Sequence, residues 1–495
     1  MGNAKVRSGR RWTAVGLLLI ALSPVASGAQ RASTKSALGA WTTLPYTMPI
    51  NPVHLALLNN GKVLVVAGSG NNPAETNFQA AVWDPRARTI LTRWVGWDMF
   101  CNGMVVLPDG RAFINGGTIQ YDPFFGQPRS AVYDPATDVI TDVASMAHGR
   151  WYPGLKVLGD GTAMTFSGLS ETGPTNTTVE IYTPGSGWSP EYPAGWTPPL
   201  YPRLHVMPNG NVFYAGSGTE SRIFDVPTKT WSGVVATTNY PNTRTYGSSV
   251  LLPLTLANGY TPRVMILGGD SPATATTEII DLSASVPHWQ YGPSMSQPRI
   301  EMNATILPNG KVLAVGGSKN DEDESTKSLK ADLFDPTTNT FSSAGANVYA
   351  RLYHSGALLL PDATVVLVGG NPTRGSYEDH IEVYSPAYLF TKSGSRAVRP
   401  TISSVSPGAF SYGAAFQVQT SNAANIASVV LLRPGAPTHA FDMEQRLVEL
   451  PFTAGSGVLN VTAPPSGGIA PPGYYMLFIL NSQGVPSVAT FVKLN

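Results

Sequence analysis

The stretch EMNATILPNGKVLAVGG, residues 301–317, decides the fold. It contains two apolar runs separated by the turn Asn309-Gly310, and it ends in the glycine pair Gly316-Gly317. An Asn-Gly pair between two apolar runs is a strong short-range signal of a β-hairpin, because both residues tolerate the positive φ that a tight hairpin turn needs. The stretch therefore predicts two short antiparallel strands.

The same unit recurs along the chain. Further copies occupy residues 54–70, 102–117, 153–168, 202–218, 248–269 and 353–370. Corresponding glycines stand at positions 68, 116, 168, 216, 268, 316 and 369, which are 48 to 53 residues apart. Even spacing of this kind is typical of a repeat architecture, in which each copy is one structural unit. A β-sandwich would have to produce the same spacing by chance.

Each copy continues into a second strand pair that contains an aromatic or apolar residue followed by a turn. These residues are Trp83, Tyr133, Tyr182, Phe224, Ile280, Phe334 and Tyr384. Four short strands per repeat describe one blade of a β-propeller, and a period near 50 residues is typical of the kelch type. The sequence thus predicts an all-β fold that begins with a seven-bladed kelch-type β-propeller.

The segments around the repeats complete the predicted domain order. Basic residues between Lys5 and Arg11 precede an apolar run over 12–22 and then small residues, which predicts a signal peptide over 1–28. The pair Arg10-Arg11 also fits twin-arginine export. We therefore expect a secreted or extracellular protein. No later apolar run reaches the ~20 residues of a membrane span, so no transmembrane segment is expected.

Residues 29–53 form a leading segment that is expected to close the propeller ring or to cap it. The propeller is predicted over residues 54–390. A polar linker then leads to residues 398–495, where apolar segments such as 427–432 and 474–480 predict strands. This last part has the size and pattern of a small immunoglobulin-like β-sandwich.

Composition agrees with this interpretation and excludes several classes of protein. The 50 Gly and 42 Pro residues indicate many turns, and only 13 % of the residues are charged, with a formal net charge of +1. Such a surface does not suit a polyanion, so no nucleic acid partner is expected. With 42 % apolar residues the chain can bury a core, which argues against disorder. The single cysteine, Cys101, excludes an intrachain disulfide.

The repeat also allows equivalent positions in different copies to be compared, including those with reactive side chains. Three of them lie eight positions before the turn Asp of their copies: Cys101, Tyr152 and His354, with Tyr353 beside the last. Equivalent positions of a repeat are expected at equivalent places in space, so these side chains should ring one mouth of the central channel. Other copies place there Pro52, Tyr201 and Glu301.

Thiol, phenol and imidazole groups that converge on one axis suit a redox metal, and nitrogen and oxygen donors favour a tetragonal copper(II) site. Each residue taken singly also fits ordinary packing, since a free cysteine behaves as a small buried hydrophobe. Both interpretations stay open at this point. A hydrolytic propeller would need paired carboxylates, whereas this ring offers Glu301 alone.

Around these residues the sequence resembles the copper radical oxidases, the galactose oxidase and glyoxal oxidase family. The segments that carry the resemblance are DMFCNGMVVLPDGR from residue 98, HGRWYPG from 148, NVYARLYHSGALLLPD from 347, PTHAFDMEQRLVEL from 437 and PPGYYMLFILNSQGVPSVA from 471. The resemblance implies one copper ion held by four residues: Tyr152, Tyr353, His354 and His439. It also implies that Cys101 is joined to Tyr152 by a thioether bond and that this pair carries a tyrosyl radical.

The resemblance further implies that the enzyme oxidises a small aldehyde or primary alcohol with dioxygen, giving the acid or aldehyde and hydrogen peroxide. Tyr353 would accept the substrate proton. His439 belongs to the last domain, so the metal would tie the two domains together. Its neighbours Asp442 and Glu444 are expected either on the hairpin surface or as hydrogen-bonding groups.

One departure from the family limits the substrate assignment. Galactose oxidase covers the thioether tyrosine with a tryptophan from a turn in the third blade, and the corresponding segment here, SGLSETGPTNTT over 167–178, contains none. The long fifth hairpin and the RWYPG segment are more similar to glyoxal oxidase. The aromatic candidates for stacking on Tyr152 are Trp94, Trp97, Phe100 and Trp151, and the sequence does not choose among them.

The alternative function is a non-catalytic kelch module that binds a glycan or a protein. For the oxidase, the expected partners are a small aldehyde or alcohol and dioxygen, with a cell-wall glycan nearby, and the protein is expected to be a monomer.

Overall fold

The computed structural model describes residues 33–495. The predicted signal peptide, with Arg10-Arg11, lies outside the described residues. Within 33–495 one α-helix, Thr34–Leu38, and three 3₁₀ turns accompany the strands, the turns at Glu324–Thr326, Ala387–Leu389 and Ala423–Asn425. No helix of the described residues is long and apolar enough to cross a membrane. The all-β prediction is confirmed.

Between residues 40 and 385 the described chain forms seven antiparallel sheets of four or five strands, which we call blades 1 to 7. Blade 1 contains His54–Leu57, Val63–Gly68, Gln79–Asp84 and Thr89–Trp94. Blade 2 contains Gly103–Val106, Ala112–Asn115, Ser130–Asp134 and Val139–Val143. Blade 3 contains Gly154–Val157, Ala163–Phe166, Thr178–Thr183, Gly187–Trp188 and Tyr192–Pro193.

The other blades repeat this order. Blade 4 contains Leu204–Val206, Val212–Tyr214, Glu220–Asp225, Thr230–Trp231 and Ala236–Thr237. Blade 5 contains Ser248–Leu251, Arg263–Leu267, Thr277–Asp281 and Trp289–Tyr291. Blade 6 contains Asn303–Ile306, Val312–Val315, Lys330–Asp335 and Thr340–Ala346. Blade 7 contains Gly356–Leu359, Val365–Val368, His380–Ser385 and, from the start of the chain, Ala40–Thr47. A short additional pair is formed by Thr118–Gln120 and Phe125–Gly126.

Blade 6 shows how the repeated sequence builds a hairpin. Its first two strands pair antiparallel, and in the turn between them Gly310 N–H donates to the carbonyl of Leu307 at 2.9 Å. Gly310 has a φ of +80°, which glycine adopts without the steric cost of a Cβ. Both strands are buried along their whole length. The apolar runs therefore form the core, and the first strand of each blade faces the channel.

The blades close into a ring. First strands of neighbouring blades lie side by side from blade 5 through blades 6, 7, 1, 2 and 3 to blade 4. His205 in blade 4 and Ser249 in blade 5 make the link between those two blades, with Nε2 and Oγ 2.8 Å apart. The leading segment completes blade 7, since Ala40–Thr47 pairs antiparallel with His380–Ser385. This strand precedes residue 54, where the propeller was predicted to begin.

The residues after the propeller form two packed sheets. One contains Ser404–Ser406, Ala415–Gln419, Phe452–Ala454 and Val458–Thr462. The other contains Ala409–Phe410, Ile426–Arg433, Arg446–Leu450, Gly473–Asn481 and Thr490–Leu494. Phe416 of the first sheet and Leu431 of the second belong to one buried cluster, as a β-sandwich requires.

A separate hairpin, with strands Pro437–Thr438 and Phe441–Asp442, leaves the sandwich and enters the channel. Its first strand lies against the first strands of blades 1 and 7, and its second against those of blades 5 and 6. His439 occupies the turn of this hairpin. The C-terminal part of the chain therefore supplies a side chain to the axis of the ring.

Candidate metal centre

The residue two or three positions before the first strand has the same backbone conformation in six blades. Its φ is +45° to +66°, and the residues are Cys101, Tyr152, Tyr201, Tyr246, Glu301 and His354. Left-handed φ values are uncommon for residues other than glycine, and such strained positions cluster at functional sites. In blade 1 the position is Pro52, whose ring excludes a positive φ.

Backbone hydrogen bonds connect this ring of residues. Tyr152 N–H donates to the carbonyl of Cys101 at 3.0 Å, and Tyr201 N–H donates to the carbonyl of Tyr152 at 2.9 Å. On the other side, Glu301 N–H donates to the carbonyl of Tyr246 at 2.7 Å. The structure thus brings together the side chains that the repeat register placed at one mouth of the channel.

Tyr246 is a member of this ring that sequence reasoning missed. The equivalent position was found by counting residues back from the hairpin turn. The hairpin of blade 5 is longer than the others, so the count missed Tyr246. A different signal was present, since Tyr246 stands just before the strand Ser248–Leu251, as the other ring residues stand before theirs. Its hydroxyl lies 3.5 Å from that of Tyr353.

The imidazoles of His354 and His439 meet the thiol of Cys101 inside the ring. Sγ of Cys101 lies 3.9 Å from Nε2 of His354 and 3.6 Å from Nε2 of His439. Side-chain donor atoms of the three residues lie within 4.8 Å of one another, and all three residues are buried. The two imidazole rings stand nearly perpendicular, at 86°, with centroids 4.6 Å apart.

Nδ1 of each imidazole already has a hydrogen-bond partner in the protein. Nδ1 of His354 hydrogen-bonds Oδ1 of Asn371, which can only accept. Nδ1 of His439 lies 2.6 Å from the hydroxyl of Thr438, and that hydroxyl donates to the carbonyl of Val53 at 2.8 Å. Both Nδ1 atoms therefore carry the proton, and both Nε2 atoms turn a lone pair toward Cys101.

Burial keeps these imidazoles neutral. It lowers the pKa of His354 to about 3 and the pKa of His439 to well below its usual range. Neutral imidazole is the metal-binding form of histidine, and metal-binding histidines usually donate the other ring N–H to a fixed acceptor. The donor atoms present here fit a copper ion.

The two predicted tyrosines pack against the imidazoles. The ring of Tyr152 lies 4.5 Å from that of His439, and the ring of Tyr353 lies 3.8 Å from that of His354. Burial raises the pKa of the Tyr353 hydroxyl well above its usual range, and a bound cation would counter this effect. The five sequence-predicted site residues thus lie together in one cluster.

Trp151 is the aromatic residue that covers Tyr152. Their ring centroids are 3.7 Å apart, and the ring of Phe124 stacks on Trp151 at 4.1 Å. The other stacking candidates lie elsewhere. Trp94 is 68 % exposed, Trp97 donates to Asp142, and Phe100 packs edge-on to His354.

A cavity of about 220 Å³ opens above the cluster. Tyr152, Trp151 and Tyr353 form part of its wall, and charged side chains stand among its other lining residues: Asp321, Glu322 and Arg374. Both predicted tyrosines are therefore accessible to a small molecule that enters from this side.

Four buried ion pairs support the ring from behind, and sequence reasoning missed them. In each, an arginine two or three residues before a ring residue pairs with a carboxylate on the third strand of the same blade: Arg150 with Glu180, Arg244 with Glu278, Arg299 with Asp332 and Arg351 with Glu382. The arginines also donate to backbone carbonyls within their blades. The recurrence of arginine before the ring position was the signal in the sequence.

Asp442 and Glu444 serve as hydrogen-bonding groups, the second of the two expected roles, and both are buried. Oδ1 of Asp442 accepts from the backbone N–H of Ala436, Glu444 and Gln445 at 2.9 Å. Glu444 forms a buried ion pair with Arg433. These contacts fix the hairpin that carries His439.

This β-propeller carries imidazole, phenol and thiol groups at one mouth of its channel. Such a set of side chains is typical of a metal-dependent oxidase. The family model described as "Glyoxal oxidase N-terminus" matches residues 68–388, and the one described as "Galactose oxidase-like, Early set domain" matches residues 399–494. The chain therefore belongs to the glyoxal oxidase family, within the copper radical oxidases, as the sequence resemblance indicated.

Individual relatives support the same family assignment. A galactose oxidase of Gibberella zeae is 26 % identical over 98 % of this chain and 74 % of its own length. The aldehyde oxidase GLOX of Vitis pseudoreticulata is 30 % identical over 80 % of this chain and 82 % of its own. A fungal alcohol oxidase of the AA5 family, solved in complex with copper, superposes with a TM-score of 0.81 at 25 % identity, covering 92 % of this chain and all of its own.

Proposed function

We propose that the protein is a secreted copper radical oxidase that oxidises a small aldehyde or primary alcohol with dioxygen, forming the acid or aldehyde and hydrogen peroxide. The observation that carries this proposal is the pair of buried Nε2 atoms, on His354 and His439, that face one thiol while each Nδ1 is bound elsewhere. Secretion rests on the predicted signal peptide over residues 1–28.

The proposed copper ligands are Tyr152, Tyr353, His354 and His439. Copper, when bound, supplies one-electron redox chemistry between its two charge states. Oxidation of an alcohol or an aldehyde hydrate removes two electrons, so a second one-electron group is needed. We assign this role to Tyr152, joined to Cys101.

The thioether would form between Sγ of Cys101 and a ring carbon of Tyr152. The thiol hydrogen and the ring hydrogen leave, and dioxygen takes the two electrons. Cys101 is the single cysteine of the chain, it is buried, and its carbonyl accepts from Tyr152 N–H. Burial raises the pKa of the thiol, which suppresses side reactions of a free thiolate.

Tyr353 is the proposed general base. It lines the cavity, and bound copper would favour its phenolate form, whose oxygen could accept the substrate proton within hydrogen-bond reach. The hydroxyl of Tyr246 donates to the same oxygen at 3.5 Å and would stabilise its phenolate form before the proton is accepted. Trp151 covers Tyr152 and excludes water from its face.

For the substrate we favour the glyoxal oxidase type over the galactose oxidase type. The cavity is small, at about 220 Å³, and the tryptophan of the galactose oxidase pattern is absent from residues 167–178. We further propose a monomer acting near a cell-wall glycan, with a propeller over residues 54–390, to whose last blade Ala40–Thr47 adds a strand, and a sandwich over 398–495.

A peroxide-coupled assay tests the proposal. The protein is loaded with copper(II), treated with a one-electron oxidant, and offered glyoxal, methylglyoxal, glycerol, benzyl alcohol and galactose. We expect peroxide from the small aldehydes and alcohols and little from galactose. A folded, copper-loaded protein that forms no peroxide with any of them would support the non-catalytic binding module instead. His439→Ala is the control, expected to lose copper without unfolding.

A further inference from the structure

A second cavity, of about 240 Å³, shares Tyr152 and Tyr246 with the one described above. It also reaches His439 at the cluster. Its other lining residues are Pro199, Leu200, Tyr201, Arg203, Ser217 and Thr245. Apart from the proposed copper ligands Tyr152 and His439, Arg203 is therefore the charged residue of this lining, and the proposed reaction does not use it.

Arg203 lacks the partner that the other buried arginines near the ring have. Those four arginines each pair with a buried carboxylate of their own blade. On the third strand of blade 4 both carboxylates are engaged elsewhere, since Glu220 pairs with Arg222 and Asp225 accepts from the turn that follows it. Nη2 of Arg203 donates to the carbonyl of Arg244 at 2.9 Å, whereas Nη1 has no hydrogen-bond partner within residues 33–495.

The guanidinium of Arg203 keeps its charge although the side chain is only 3 % exposed. Burial lowers its pKa to about 10, so the group stays protonated at neutral pH. The positive charge of Arg244 lies near it and adds to the cost of burial. A buried charge with an unused donor is destabilising, and an anion that accepts from this donor relieves the cost through a charge-assisted hydrogen bond.

The cavity wall decides the kind of anion. One guanidinium compensates one negative charge, and its planar N–H groups match the geometry of a carboxylate. Pro199, Leu200 and Tyr201 contribute to the same lining, and their apolar surface suits a substituent made of carbon. A phosphate dianion would leave its second charge buried without a partner, which is costly.

We infer that this second cavity binds the carboxylate group of a small organic acid, which accepts a hydrogen bond from Nη1 of Arg203. The acid has two possible sources. The proposed oxidation converts an aldehyde into an acid beside Tyr152, and a substrate can also carry a carboxylate of its own. The choice between these sources rests on the proposed function, whereas binding of the carboxylate does not.

Calorimetric titration with sodium acetate tests the binding, in a buffer without carboxylate or phosphate. Acetamide has nearly the same shape without the charge and serves as the neutral comparison. We expect saturable acetate binding in both the copper-loaded and the copper-free protein, because Arg203 and not the metal holds the carboxylate. Arg203→Met should weaken acetate binding roughly 10- to 100-fold, the order that a hydrogen bond between charged groups provides, and Arg203→Lys should retain part of the affinity.

Arg222→Met is the matched control variant. Arg222 lies in the same blade and pairs with Glu220, but it is not among the residues that line the cavity. Its loss removes the same charge and should leave acetate binding unchanged. Equal binding of acetate and acetamide, binding that needs copper, or wild-type affinity in Arg203→Met would overturn the inference. The first two of these comparisons use the wild-type protein and hold even if the methionine variant does not fold.

Turnover distinguishes the two sources of the acid. If the substrate carries the carboxylate, Arg203→Met should lower the ratio of kcat/KM for glyoxylate to that for methylglyoxal. If the acid is the product, this ratio should stay constant while inhibition by pyruvate, the acid formed from methylglyoxal, becomes weaker. A variant that loses acetate binding but changes neither quantity contradicts both sources. A protein that forms no peroxide contradicts the proposed function, and the acetate titration still decides the inference.

Discussion

The hydroxyl of Thr438 lies 2.6 Å from Nδ1 of His439 and donates its own hydrogen to the carbonyl of Val53. Because the hydroxyl gives its hydrogen to that carbonyl, it accepts the ring N–H of His439 and leaves Nε2 free. The same hydroxyl joins the C-terminal hairpin to blade 1. One side chain therefore sets both the tautomer and the position of the interdomain histidine.

Replacing Thr438 by valine tests this relationship. Valine keeps the shape of threonine but cannot accept the ring N–H, so both the tautomer and the ring orientation of His439 become free. Loss of such a partner costs roughly 10- to 100-fold in metal affinity. Competition titration with a copper chelator measures the effect. Thr438→Ser keeps the hydroxyl and should bind copper with near wild-type affinity, and an equal loss in both variants would contradict the assigned role.

Cys101→Ser tests the proposed thioether. Aerobic copper loading of the wild-type protein should lower its intact mass by two hydrogens, because the new bond replaces the thiol and ring hydrogens. The serine variant should keep its mass, retain copper because all four proposed ligands are unchanged, and form no peroxide. Anaerobic loading of the wild type is the control, since no dioxygen is present to take the electrons. An unmodified peptide containing Cys101 from active enzyme would refute the radical assignment.

The contact between Trp151 and Tyr152 predicts that Trp151 prolongs the lifetime of the radical on Tyr152. Contacts between aromatic rings contribute about 0.5–1.5 kcal/mol beyond burial, and Trp151→Ala also opens the face of Tyr152 to water. We expect the radical absorption of the activated protein to decay roughly 2- to 10-fold faster in this variant. Trp151→Phe keeps a ring and should decay at an intermediate rate. Identical decay in all three proteins would show that the packing has no such effect.

The repeat predicted the propeller, and with it the convergence of the site, because it fixes distances along the chain. Cys101, Tyr152 and His354 were placed together by counting from the hairpin turn, and each hairpin of standard length puts that position at the start of an inner strand. Tyr246 was missed for the same reason, since the hairpin of blade 5 is longer. Counting from the turn therefore predicted the position of a residue only in those copies whose hairpin has the common length.

The sequence pattern did not predict how the side chains pack. The choice of Trp151 over Trp94 depends on the loop that brings Phe124 over the site, and no periodicity encodes that loop. The burial of Asp442 and Glu444 depends on the hairpin entering the channel, which a local pattern of alternating residues does not reveal. The assignment of the copper ligands stays a prediction that the metal measurements above will test.

Arg351→Met is expected to destabilise blade 7 strongly. The guanidinium of Arg351 donates to Glu382 at 2.8 and 3.1 Å, and both side chains are buried. Removing one member of a buried pair leaves an uncompensated charge and costs about 3–5 kcal/mol. Denaturant unfolding measures this, with the exposed pair Arg111 and Asp109 as the control, where Arg111→Met should cost under about 1 kcal/mol. The double variant Arg351→Met, Glu382→Leu should recover part of the loss, because no charge is then left unpaired.

Asp98 gives the copper-free protein a predicted pH dependence. Oδ1 of Asp98 accepts from the backbone N–H of Ser69 at 2.8 Å and of Phe100 at 2.9 Å, yet burial dominates and raises the pKa of the carboxyl from 3.8 to about 6. Between these two values the folded state binds more protons than the unfolded state. The contribution of Asp98 to the free energy of unfolding therefore falls as the pH rises from about 4 to 6, and above pH 6 the buried charge carries its full cost.

Asp98→Asn removes that charge while its amide oxygen keeps both backbone hydrogen bonds. At pH 7 the variant should be more stable than the wild type by up to about 3 kcal/mol, the free energy that corresponds to the pKa difference. At pH 4 the two proteins should unfold at nearly the same denaturant concentration, because the wild-type carboxyl is then protonated in the folded state. Urea titrations of both copper-free proteins at pH 4, 5, 6 and 7 measure the difference. A variant that is less stable than the wild type at pH 7 would show that the hydrogen bonds to the carboxylate outweigh its burial.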